Sequence, residues 1–251
     1  MSNLDRIEVL DSLFIAKHIL KKLGIVWDEQ DEPKCLVSPT KHVSETLSAI
    51  EAIEQTWKHK SSSTLHTFGR KEKNETIKLW SVPGKSARVL RNLVILTHSK
   101  SILEIGTSAG YSTLHLADGA KYNLGRVVTI ELLKEKADLA RSFFEKSKLD
   151  NIELLESEAS VVLKDWRLGN VDFVFLDADK ENYGKYLNQL LPLMKSGAII
   201  VADNVNDYGH LMEDYLQKVT GTHLPQSRAD KRVRSYYLAA LDNGLIVTKK
   251  L

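Results

Sequence analysis

Apolar and polar positions divide the chain near residue 100. Before it, apolar residues recur at helical spacing. Leu4, Ile7, Leu10, Phe14 and Ile19–Leu20 form one run, which Gly24 closes. A polar stretch from Asp28 to Lys34 follows, and Ser38-Pro39 reads as an N-cap with proline at the first helical position. Val43, Leu47, Ile50, Ile53 and Trp57 carry a second helix. Lys58 to Asn74, with three consecutive serines, reads as a mobile surface loop and a candidate lid. Pro83 to His98 predicts a third long helix, with Val89, Leu90, Leu93 and Leu96 on one side.

From Ser101 the period changes. Short apolar runs (SILEIG, RVVTIE, NIELLE, VDFVFLD and GAIIVADN) alternate with amphipathic helical stretches. That alternation predicts a mainly parallel, doubly wound α/β sheet. The end differs. Arg234–Leu241 and Leu245–Lys249 are strand-like and flank Asp242-Asn243-Gly244, which predicts a tight antiparallel hairpin. Residues 1–80 are thus expected to form a helical extension, and 81–251 the α/β domain.

Composition narrows the class without naming a chemistry. The 251 residues are 43% hydrophobic and 27% charged, with 35 basic against 33 acidic residues. This excludes a disordered or collagen-like chain. Cys35 is the sole cysteine, so neither an internal disulfide nor a thiolate metal cage is possible. No signal-like start and no apolar run of about 18–20 residues is present, so a soluble cytoplasmic protein is expected.

The glycine loop Gly106-Thr107-Ser108-Ala109-Gly110 follows a strand and opens a helix. Ligands of open α/β sheets sit at such strand ends, where glycines admit close approach and helix N–H groups face the ligand. Glu131 closes the next strand, where a carboxylate commonly holds ribose hydroxyls. The spacing G-x-G-x-x-G is absent, because Ser108 stands two residues after Gly106. A nucleoside cofactor is therefore favoured over a dinucleotide. The same loop also reads G-x-S-x-G, and a Ser-Asp-His order can be assembled from Ser108, Asp177 or Asp203, and His210 or His223. Against that serine hydrolase reading, no HGGG-like segment precedes the loop, and a triad has no use for Glu131.

Two predicted strands end in Asp177 and in Asp203-Asn204. As neighbours, their ends would lie roughly 5 Å apart. Two carboxylates and an amide oxygen at one point suit a hard divalent cation: Mg²⁺, Mn²⁺ or Ca²⁺. Lys180, three residues after Asp177, would sit beside that ion, which lowers its proton affinity and fits it for general-base work.

The segments ILEIGTSAGYSTLHLA, VVTIE, FVFLDADKENY and GAIIVADNV, in that order, resemble the metal-dependent S-adenosylmethionine O-methyltransferases, the catechol and caffeoyl-CoA enzymes among them. The resemblance runs from about Val82 to the C-terminus. It implies a class I methyltransferase fold: seven strands, the last hairpin antiparallel. It implies that Val82, Glu104, Gly106, Tyr111, Ser112 and Glu131 surround the methyl donor, with Glu158 and Ala159 near its adenine. It further implies Asp177, Asp203 and Asn204 as metal ligands, with Asp177 also touching the donor, and Lys180 as the base. The implied partner is a small hydroxylated acceptor, catechol-like because a vicinal diol chelates well, and the implied assembly a homodimer. The N-terminal helices would cover the acceptor or build the dimer contact. Departures fall at Ala87, where the family often has glycine, and in NDYGHLMEDY.

Two other classes compete. A tRNA-modifying methyltransferase on the same scaffold would use Arg70, Lys71 and Lys73 with Arg228, Lys231, Arg232 and Arg234. A non-catalytic binding protein would retain the fold but have no need of the Asp177, Lys180, Asp203 and Asn204 set.

Overall fold

The structure is a computed structural model that describes residues 3–57, 65–67, 70–72, 79–221 and 229–251. Seven strands form one sheet in the order β5-β4-β3-β6-β7-β9-β8. They are β3 (Ser101–Ile105), β4 (Arg126–Glu131), β5 (Ile152–Glu156), β6 (Val171–Leu176), β7 (Met194–Ala202), β8 (Val233–Leu238) and β9 (Leu245–Lys250). Strands β3 to β7 pair in parallel; β9 runs antiparallel to both β7 and β8. The central strands are nearly continuous apolar runs because helices cover both of their faces.

Chain order reverses beside β3, with β4 on one side and β6 on the other. In open α/β sheets such a switch point, beyond the carboxyl ends of the strands, is where ligands bind. One face is covered by α4 (Gly84–Leu96), α5 (Tyr111–Lys121) and α6 (Lys134–Ser147), the other by α7 (Ala159–Lys164), α8 (Tyr183–Leu193) and α10 (Glu213–Thr220). Ile102 enters the first core, whereas Leu103 and Ile105 enter the second, as strand alternation requires.

The leading helices α1 (Asn3–Lys22), α2 (Glu32–Leu36) and α3 (Lys41–Trp57) share the first core. Leu13, Ile19, Leu20, Val43 and Ile50 are buried with Leu90 and Leu93 of α4. Buried Arg91 stitches the layers. Its Nε donates to Asp118 at 2.7 Å, and its terminal nitrogens donate to the carbonyls of Cys35 and Val37.

The polar stretch from Asp28 to Lys34 holds a short 3₁₀ turn at Glu29–Asp31, capped by Asp28, and Pro33 stands in the first turn of α2. Two local expectations change. Helix α3 opens at Lys41, past Pro39, with the Thr40 carbonyl accepting from the Ser44 amide. Within the expected Lys58–Asn74 loop, β1 (Leu65–Thr67) pairs antiparallel with β2 (Arg70–Glu72); the rest of that loop lies outside the described residues.

The closing hairpin is also looser than a two-residue turn, because β8 stops at Leu238. Tertiary contacts hold the intervening residues. The Asp242 carboxylate accepts from the amide and the hydroxyl of Ser86 at the start of α4. The carbonyls of Asn243 and Gly244 accept from the amides of Asn206 and Val205. The connection thereby anchors the segment that follows Asn204. Among the described residues, no helix is long and apolar enough to cross a membrane.

Candidate active site

The expected site residues come from different strands, and the sheet brings them to one edge. Gly106 follows β3 and has φ +103°. Its amide donates to the Ile130 carbonyl, and a Cβ there would collide with the Asp177 carbonyl. Ser108 (φ +50°) and Gly110 (φ +89°) are also left-handed, so the loop curls and aims backbone N–H groups inward. One loop amide and one amide from the start of α6 meet Glu131 at the end of β4. The Ser108 amide donates to one oxygen of Glu131 at 2.8 Å, and the Leu133 amide to the other at 2.9 Å. Glu131 is thereby held rigidly at the loop.

Glu104 occupies a core-facing position of β3 and is wholly buried. Ser112 donates to one of its oxygens at 2.5 Å; Thr113 and Thr129 donate to the other. Burial pushes its carboxyl up to about 7 in spite of these bonds. The three hydroxyls fasten β3, β4 and the first turn of α5 together. Val82 and Tyr111 are buried against this loop. Ala159 is buried and Glu158 exposed where β5 turns into α7, and the Ser157 amide donates to the Glu131 carbonyl.

The second half of the site sits on β6 and β7. Leu176 is registered with Ala202, so Asp177 and Asp203 leave neighbouring strand ends. The Asp203 amide donates to the Leu176 carbonyl. Asp203 is buried, and its Oδ1 accepts from the Asn204 amide at 2.7 Å. Its Oδ2 is buried with no hydrogen-bond partner. Burial, and then the Asp177 charge, push its carboxyl well above the ordinary carboxylate range. Asn204 follows in the left-handed region (φ +65°), where asparagine is tolerated best after glycine. Among the described residues, no three His, Cys, Asp or Glu side chains gather as a metal cage. Asp177, and Asp203 with Asn204, directly follow the two neighbouring strand ends.

Lys180 is buried beside this pair. Its Nζ donates to Asp177 Oδ1 at 2.7 Å and to Tyr183 Oη at 2.9 Å. Tyr183, fully buried, donates its hydroxyl hydrogen bond to the Leu176 carbonyl at 2.8 Å. The sequence places Tyr183 three residues after Lys180, a helical-neighbour spacing that signals this contact; sequence reasoning did not single it out. Lys136 was likewise missed. It is buried, and its ammonium lies 5.3 Å from the centre of the Trp80 ring.

The described residues show only part of either competing arrangement. The Ser108 hydroxyl donates to the Leu79 carbonyl rather than to a histidine, and His223 lies outside the described residues. For a nucleic-acid surface, Arg232 is paired with Asp230. The side chains of Arg70 and Lys71, and residues Lys73 and Arg228, lie outside the described residues.

A switch point in a seven-stranded sheet that ends in an antiparallel hairpin defines the class I methyltransferase fold. Residues 55–251 match the family model described as O-methyltransferase, and the chain belongs to that family. A catechol O-methyltransferase of Mycobacterium tuberculosis is 36% identical over 135 residues, 53% of this chain and 61% of the relative. The chain thus spans about three fifths of that relative's length. A protein of Arabidopsis thaliana described as a caffeoyl-CoA O-methyltransferase is 31% identical over 178 residues, 69% of this chain and 72% of its own. Among solved structures, the O-methyltransferase of Bacillus cereus in complex with SAH superposes with a TM-score of 0.65 at 26% identity, covering 90% of this chain and 98% of that one.

Proposed function

We propose that this protein is an S-adenosylmethionine-dependent O-methyltransferase whose acceptor hydroxyl is held by a divalent cation, Mg²⁺ or alternatively Mn²⁺ or Ca²⁺. The acceptor is a catechol-like or other small aromatic hydroxyl compound. The observation that carries the reading is the buried, unpartnered Asp203 Oδ2 beside Asp177, at the strand ends that flank the glycine loop. An orphaned carboxylate oxygen in a dry site is costly unless a cation meets it, and the all-oxygen set suits a hard ion. Membership of the O-methyltransferase family, and the SAH held by the Bacillus cereus relative, support the donor.

Asp177, Asp203 and Asn204 would hold the cation, which when bound acidifies a ligated hydroxyl and fixes its oxygen. The donor supplies a methyl group already activated on a sulfonium. What remains for the chain is orientation and one proton. Glu131, fixed by the Ser108 and Leu133 amides, is placed to take ribose hydroxyls. Val82, Glu104, Gly106, Tyr111 and Ser112 shape the donor's bed, Glu158 and Ala159 its adenine end, and Asp177 its boundary with the acceptor. Lys180 receives the acceptor proton; Asp177 and Tyr183 fix its Nζ. Residues 81–251 form the methyltransferase domain, and 1–80 the extension bearing on it. A homodimer in the cytoplasm completes the proposal, with the exposed apolar residues Ile7, Leu10 and Phe14 of α1 as a face for the second copy.

The test is an acceptor screen with methyl-labelled donor, with and without chelator. Transfer to vicinal aromatic diols that stops in EDTA and returns with Mg²⁺ is expected. Undiminished transfer in EDTA would remove the cation from the mechanism, and label on tRNA alone would replace the small acceptor.

A further inference from the structure

Helix α3 ends within two residues after the matched segment begins at residue 55, yet two of its earlier carboxylates reach Tyr111, directly after the glycine loop, and Ser81, two residues from the Leu79 carbonyl that holds Ser108. Glu51 Oε1 accepts from Tyr111 Oη at 2.7 Å. Glu54 Oε1 accepts from the Ser81 amide at 2.9 Å. Both bonds are charge-assisted, the stronger kind.

Their partners are sensitive points. Tyr111 is the first residue of α5, whose N-cap is left-handed Gly110 with no side-chain capping bond. The entry to this helix is therefore not locked by a cap of its own. Tyr111 Oη also lies where a Cβ on Gly84 would meet it at 3.2 Å, so the ring spans from the loop to the start of α4. Ser81 belongs to the strap Leu79–Val82, which is tied to the loop through Leu79. Within it, the Leu79 carbonyl takes the Ser108 hydroxyl, and Trp80 is held at φ +49°, a disfavoured value for so large a residue. Lys136 lies over the Trp80 ring, within electrostatic reach of both Glu131 and Glu54. Helix α3, the strap, the glycine loop and the start of α6 thus form one linked unit.

We propose that α3 is a working part of the donor site, with Glu51 and Glu54 as positioning residues that hold Tyr111 and the Leu79–Val82 strap in donor-binding geometry. The proposal rests on the donor reading above. Helix N–H groups grip a ligand only where the first turn stands still, and Glu51 fixes that turn from outside through the tyrosine. Glu54 does the same for the strap, whose strained Trp80 would otherwise relax. The extension is then more than a cover for the acceptor.

Calorimetric titration of S-adenosylmethionine and steady-state kinetics on the full chain test this. Glu51→Ala and Glu54→Ala are each expected to raise the donor's Kd and KM about tenfold, the worth of one such bond. The acceptor's KM and kcat should stay within about twofold of wild type. Glu51→Gln and Glu54→Gln keep an accepting oxygen and should recover most of the affinity. Tyr111→Phe should match Glu51→Ala, and the double variant should be no weaker than either. Alanine variants with wild-type donor affinity would overturn the proposal. So would variants that lose active protein while the remainder keeps the wild-type donor KM, because that pattern is mere destabilisation. Failure of the wild-type chain to bind the donor would instead refute the donor reading itself.

Discussion

A Cβ on Gly106 would stand 2.1 Å from the carbonyl oxygen of Asp177. The glycine loop after β3 and the acidic end of β6 are therefore packed backbone to backbone, with no room for a side chain between them. Gly106 also has φ +103°, so alanine is excluded by conformation as well as by contact. Gly106→Ala is expected to cost roughly 2–4 kcal/mol of stability and to abolish donor binding. A urea melt with a donor titration checks both, and a variant of wild-type stability would contradict the packing.

Asp203 gives a prediction about metal and pH together. Burial, and then the Asp177 charge, raise its folded pKa above the ordinary 3.8. A raised carboxyl favours folding while protonated, so its contribution is present below 3.8 and lost as pH rises toward neutrality. In chelator-treated protein, Mg²⁺ should therefore raise Tm clearly at pH 8 and hardly at pH 4. Asp203→Asn should be at least as stable as wild type without metal, and should lose both the Mg²⁺ shift and turnover. Equal Mg²⁺ shifts in wild type and variant would take Asp203 out of the site.

Lys180 and Tyr183 separate proton removal from binding. Lys180→Met should lower kcat by about 100-fold or more, the usual worth of a general base, while donor Kd stays near wild type. Tyr183→Phe removes one of the two groups that fix the Lys180 Nζ, and should lower kcat about tenfold. Matching losses in donor affinity would mean that the lysine serves binding instead.

His115 makes folding acid-sensitive. It is wholly buried on α5 with neither ring nitrogen hydrogen-bonded, and its ring lies 5.3 Å from that of Tyr111. Burial, then Arg91 and Arg88, depress its pKa from 6.5 to about 3. The unfolded chain therefore binds a proton below 6.5 that the folded chain refuses until about 3. Stability falls with pH across that window, by about 2 kcal/mol between pH 6.5 and 5 for this residue. Denaturant melts at the two pH values should show a smaller loss for His115→Leu than for wild type.

How much of this was legible in sequence differs by residue. The strand runs, the seven-strand topology and the family were readable, because a fully buried parallel strand needs an unbroken apolar run and a curled loop needs its glycines. That Asp177 and Asp203 leave neighbouring strand ends was readable because each directly follows such a run, and chain direction alone puts parallel strand ends on one edge. Short-range cues misled at Pro39 and at the last hairpin. At Pro39 the helix starts two residues later, at Lys41, and at the hairpin a nominal turn yielded to contacts with residues far along the chain, such as Ser86 with Asp242.

The chain's own pattern thus settled which segments are strands and which residues directly follow their carboxyl ends, since these follow from periodicity and backbone conformation. Only the tertiary structure decided who meets whom. Glu51 reaching Tyr111, Glu54 reaching Ser81, and three hydroxyls closing on Glu104 join residues 8 to 60 positions apart. Such pairings leave no local mark, because a hydrogen bond across a folded core depends on where the packed helices set its two ends and not on the residues beside them.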